Sequence, residues 1–141
     1  MSPQRQDYLI RLIEELGRFV REVLRAGEKN RTEAALPVLV ETQEKLFARP
    51  AAEFLGRTLE EQIDLLAAGE SAESAVGKCV SYAGILHHAA QLYTALGRPA
   101  LVLGSRQLAA AVLQIAVARW PEQAGRITEE GKALAEPPVG Q

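Results

Sequence analysis

Between Glu73 and Glu122 the chain carries no acidic residue, and inside that gap the run from Val80 to Ala118 has only two formal charges, Arg98 and Arg106. A stretch so long and so apolar must be covered on more than one side, by the rest of the chain or by a second copy of it. Gly97-Arg98-Pro99 divides the run. Glycine supplies the left-handed residue that ends a helix and proline suits the first position of the next, so the run reads as two long helices folded back on each other.

The first of them, from Ser71 or Ser74 to about Leu96, spreads Val76, Cys79, Val80, Tyr82, Ile85, Leu86, Leu92 and Tyr93 over most of its circumference, which predicts a helix sandwiched between others. A narrow strip of Gly77, Ser81, Gly84, His88 and Gln91 is left over. The second, Pro99 to Arg119, sets Leu101, Leu108, Val112, Ile115 and Ala116 on an apolar face, and it too is expected to be buried. Gly104, Ala111 and Ala118 recur at every seventh position beside Gln107 and Gln114. Small residues at that interval let helices approach closely. The two strips together, Gly77, Ser81, Gly84, His88 and Gln91 with Gly104, Gln107, Ala111 and Gln114, are the candidate interface or groove.

The remaining helices are written in local signals. After Ser2-Pro3, Leu9, Leu12, Ile13, Leu16, Phe19, Val20, Val23 and Leu24 recur at three and four, opposite Arg11, Glu14, Glu15, Arg18 and Glu22, and Gly27 ends this one-sided helix. Thr32 is a candidate cap, but Pro37 clashes with a preceding helical turn, so a frayed turn and then a helix from Pro37 to Phe47 are expected, forming an antiparallel hairpin with the first. Pro50 to Gly56 is a short connector turning Phe54 and Leu55 inward. Thr58 with Glu61 three residues on is a capping box that starts a helix running to about Gly69. Trp120-Pro121 breaks the chain before a weaker terminal helix through Ala124, Ile127 and Leu134. No strand pattern of useful length occurs. The expectation is an all-α single domain over 1–135 with five or six helices in antiparallel hairpins, stacked or bundled, and a fraying tail at 136–141.

At 141 residues such a chain buries enough surface to stand without metals or disulfides. A net charge of −2 supplies no field that would gather it on nucleic acid or on an anionic membrane, so neither is expected as a partner. The lone Cys79 and an opening unlike a signal peptide lead to an expectation of a cytoplasmic protein. The longest apolar run, the twelve residues Gln107 to Ala118, spans only about 18 Å as a helix, short of a ~30 Å hydrocarbon core, and is expected to be a buried helix and not a membrane span.

Tyr93-Thr94-Ala95-Leu96-Gly97-Arg98 followed by Ala100-Leu101 resembles the turn of a tetratricopeptide-type helical hairpin, with an aromatic four residues before a glycine and an alanine-rich second helix. Separately, Asp7 to Gly17 is similar to the opening of a family of small uncharacterised bacterial helical proteins. The first resemblance implies a hairpin that offers a surface to a peptide or partner protein; the second implies a bacterial helical fold and no activity.

Residues able to do chemistry are scattered. His87 and His88 point about 100° apart on a helix and cannot ligate one metal. Cys79 has no activating base nearby, Ser81 and Ser105 lack a nucleophile elbow, and Glu14-Glu15, Glu60-Glu61 and Glu129-Glu130 are consecutive helical pairs with no opposing partner. Lys78, Arg98, Arg106 and Arg119 are the charges of the acid-free run; brought together they would attract an acidic tail, but Arg98 and Arg119 sit at opposite ends of one helix, about 30 Å apart, which favours separate solvation. No catalytic, cofactor or metal site is expected. The reading is a non-enzymatic protein acting through protein contacts and self-associating, as a homodimer, through the helices within 74–120. The alternative is a small-molecule sensor or enzyme using a groove around His88 and Gln91.

Overall fold

A computed structural model describes residues 3–135, with side chains placed for 8–134; the Ser2 hydroxyl and the tail 136–141 lie outside this range. Helices α1 (Pro3–Ala26), α2 (Lys29–Phe47), α3 (Ala51–Leu55), α4 (Leu59–Ala67), α5 (Ala72–Ala95), α6 (Pro99–Arg119) and α7 (Ala124–Ala135) follow one another, with a single 3-10 turn, Pro121–Gln123, before the last. No strand occurs among the described residues.

The local signals act as their chemistry dictates. Thr58 Oγ1 accepts from the Glu61 amide at 3.2 Å and Glu61 Oε1 accepts from the Thr58 amide at 3.0 Å, closing the capping box of α4. Those hydrogen bonds from Thr58 hold the Glu61 carboxyl below the ordinary carboxylate range. Ser71 caps α5 by accepting from the Ser74 amide at 3.1 Å. At the hairpin turn Gly97 adopts φ 68°, its amide donates to Thr94 O and the Arg98 amide donates to Tyr93 O at 3.0 Å, a Schellman closure that favours a residue without a Cβ.

Two backbone expectations are corrected. The helix expected only from Pro37 begins at Lys29 and runs straight through the proline. Pro37 and Glu33, whose carbonyl loses its amide partner, are both exposed, so water replaces the missing bond. Thr32 is no cap: it is buried inside the helix and its hydroxyl donates to Glu28 O at 3.0 Å. Ala48, which no turn signal marked, ends α2 in the left-handed region at φ 58°, and Glu44 Oε2 then accepts from the Ala51 amide at 2.8 Å to start α3.

Helix α5 is the axis, packed against α1, α2, α4, α6 and α7. Tyr82 at its middle is fully buried, edge-on to Phe47 and Phe54, whose own rings stack at 3.6 Å. Its hydroxyl donates to Gln62 Oε1 at 2.9 Å, and Gln62 Nε2 donates to Arg57 O at 3.1 Å, so this buried polar pair is satisfied. The sandwiched character expected of this helix is therefore seen in α5, and it is not seen in α6. Only Ala109, Val112 and Ala116 of α6 are buried, while Leu101 and Leu103 are 46% and 58% exposed. Periodicity cannot distinguish the cases, because α6 has almost no charged residues to mark the side that faces water.

Candidate interaction surface

The two small-residue strips point in different directions. On α5 the strip faces inward. A Cβ on Gly84 would lie 3.3 Å from Leu134 Cδ2 and 3.8 Å from Ile13 Cγ2, so the glycine is what lets α1 and α7 converge over the middle of α5. A Cβ on Gly17 of α1 would in turn meet the His88 ring at 3.3 Å. His88 and Gln91 are half-buried there and paired with each other, Nδ1 to Oε1 at 3.1 Å, which requires the proton on Nδ1.

Burial lowers the His88 pKa, and the Arg21 guanidinium adds to this against the opposing Gln91 hydrogen bond; burial, His88 and Arg106 lower that of His87. Both histidines are thus held neutral in the fold, with ordinary values near 6.5 once unfolded. The unfolded chain binds protons first, so stability is whole above that pH and falls as pH drops below it towards the lowered folded values. Urea titrations at successive pH should show this decline, and His88→Gln should make it shallower, leaving the share of His87.

Where the α5 strip begins, Gly77 and Ser81 border a cavity of about 210 Å³ between α1, α5 and α7, with Leu9, Ser74, Lys78 and Arg126 among its walls. Its cations are already engaged: Lys78 Nζ is 3.0 Å from Glu70 Oε1, and Arg126 binds Glu130 at 3.3 Å and donates to Glu73 O at 3.1 Å.

On α6 the strip faces outward. Gly104, Gln107 and Gln114 are exposed and Ala111 is half-buried, with nothing within 4 Å of a Cβ built on Gly104. Leu103, Ala110 and Ala118 are exposed with them. Leu103, Gln107, Ala110 and Gln114 follow one another at intervals of four, three and four, the spacing of a helix–helix seam. That spacing was available in the sequence as a signal for Leu103 and Ala110; their exposure was not.

Of the four cations considered from the sequence, two are separate. Arg119 joins α6 to α4, donating to Asp64 Oδ1 at 2.6 Å and Glu60 Oε2 at 2.7 Å, and these carboxylates raise its pKa further. Lys78 is the partner of Glu70. Arg98 and Arg106 do come together, bordering a cleft of about 390 Å³ at the hairpin turn with Thr94, Pro99, Val102 and Leu103, and neither forms an ion pair among the described residues.

Nothing in this arrangement activates a nucleophile. Cys79 is fully buried, and burial pushes its thiol up to about 12, so it stays protonated at neutral pH. No group of His, Cys, Asp and Glu able to hold a metal ion occurs among the described residues. The whole of α6, with a mean hydropathy of 1.6 over its best eighteen residues, is long and apolar enough to cross a membrane by length and composition, a longer segment than the twelve residues considered above. No family model, curated protein or solved structure matches the chain.

Proposed function

We propose that this chain is a non-enzymatic helical protein that acts through protein contacts, and that its primary contact is with a second copy of itself across the outward face of α6. One observation carries the reading: a helix of 21 residues, with no acid and with Arg106 as its one cation before Arg119, buries only three of its residues and leaves Leu103, Ala110 and Ala118 in water on its outward side. Monomeric soluble proteins rarely leave contiguous apolar strips of this kind uncovered, and homodimer faces are depleted of charge in the same way. The finer shape belongs to the same reading: a compact bundle about α5, in which the α5–α6 hairpin serves as the presenting element that its tetratricopeptide-like turn implies.

A 21-residue helix is about 31 Å long, and a strip of that length is narrower than the roughly 800 Å² per partner of a standard interface. Association in the micromolar range is therefore expected, with the neighbouring face of α7 contributing. Light scattering across that range should show a dimer dissociating to monomer, and Ala110→Glu should leave a monomer throughout, its helical content unchanged because the position is exposed and its melting temperature equal to that of wild type at concentrations where wild type is monomeric. A wild-type chain that remains monomeric overturns the reading. So does a monomer that instead sediments with phosphatidylserine-containing vesicles, which would assign the α6 face to a lipid surface.

A further inference from the structure

The ends of the outward face of α6 differ in charge. At its N-terminal end stand Arg98 and Arg106 around the cleft at the hairpin turn. Just beyond its C-terminal end stands Glu122, and Glu129 and Lys132 are exposed together on α7, which packs against α6. Helix α7 lies alongside this half of α6: Gln114 and Leu113 share a depression with Thr128 and Lys132. Arg98, Arg106, Glu122 and Glu129 form no ion pairs among the described residues. Between these ends the α6 residues of the face carry no charge, and Lys132 of α7 stands at its flank beside Gln114.

We infer that the second copy docks antiparallel, its α6 centred on Ala110–Ala111, so that the Arg98/Arg106 cleft receives Glu122 and Glu129 of the other chain. The inference rests on the homodimer proposed above and adds its direction and register. In this register Gln107 stands opposite Gln114 of the second copy, where two amides exchange hydrogen bonds, and Leu103 stands opposite Ala118, a large side chain against a small one. Each end of the pair repeats the match of two arginines with two carboxylates, of which Glu129 has Lys132 as a neighbour. The antiparallel arrangement also opposes the two helix dipoles. A parallel pair reverses every term: Arg98 and Arg106 of one chain meet the same arginines of the other, and like charges facing each other across an interface are unfavourable.

Cross-linking reads the register directly. Chains carrying Gln107→Cys and Gln114→Cys, mixed and oxidised under native conditions, should join as unlike pairs, with Gln107→Cys alone giving several-fold less dimer; buried Cys79 provides no competing thiol. Charge reversal gives the second readout. The chain with Arg98→Glu and Arg106→Glu, and separately the chain with Glu122→Arg and Glu129→Arg, should each self-associate at least about tenfold more weakly than wild type, and the two mixed should regain wild-type affinity as a heterodimer. Circular dichroism should show both variants folded, as their exposed positions favour. If wild type dimerises but Gln107→Cys joins efficiently to itself, or the reversed chains associate like wild type, or mixing restores nothing, the antiparallel register is overturned while the α6 dimer stands. If wild type is monomeric, both fall.

Discussion

Replacing Phe54 by alanine should lower the free energy of unfolding by about 3–5 kcal/mol, whereas Leu55→Ala beside it should change it by less than about 0.5 kcal/mol. Helix α3 has five residues, far too few to persist by its own hydrogen bonds, so tertiary contact alone must hold it. Phe54 provides that contact. It is fully buried, stacked on Phe47 at 3.6 Å and edge-on to Tyr82 at 5.6 Å, while Leu55 is 42% exposed. Removing the ring leaves a cavity at the one place where α2, α3 and the axial helix α5 meet. The loss is a large share of the 5–15 kcal/mol typical of a domain. Urea denaturation of the two variants provides the comparison, and an equal effect at both positions would remove Phe54 from its place as the anchor.

Helix positions were legible in this sequence wherever a backbone rule acts locally. The Thr58–Glu61 box, the Ser71 cap, Gly27 and the Gly97-Arg98-Pro99 turn each fix a boundary through interactions of a few neighbouring residues. Pro37 misled because the penalty for an internal proline depends on whether the orphaned carbonyl meets water, and that is set by which face α2 turns outward. Ala48 carried no signal at all, since alanine enters the left-handed region only when the surrounding chain compels it. For the candidate surface the same division applies. Periodicity placed Gly84, His88 and Gln91 on one strip and Gly104, Gln107 and Gln114 on another, and it could not tell that α1 and α7 lie over the first while water covers the second. Arg98 and Arg106 share a cleft because the turn brings the first two turns of α6 back against the end of α5, a proximity that the count of charges along the chain does not contain.

Ala109→Glu and Ala110→Glu should separate folding from association on one helix, and the first has the larger effect. Ala109 is fully buried where α6 lies on α5. A glutamate there must either be desolvated without a partner or push the two helices apart. A loss of more than about 4 kcal/mol is expected, enough to leave the chain largely unfolded near its normal melting temperature. Ala110, one residue on, points roughly 100° away into solvent. Its glutamate meets no wall within the monomer, but in an antiparallel pair centred on Ala110–Ala111 it brings two carboxylates together at the middle of the seam, and pairing with Arg106, four residues back on the same helix, would take that arginine from the carboxylates of the second copy. Thermal melts followed by circular dichroism read the first effect and light scattering the second. The proposal requires them to dissociate: a cooperative melt near wild type with loss of the dimer for Ala110→Glu, and loss of the melt itself for Ala109→Glu. Were Ala110→Glu to damage the fold as Ala109→Glu does, the outward face of α6 would be part of the chain's own packing, and a second copy would have nothing left to cover.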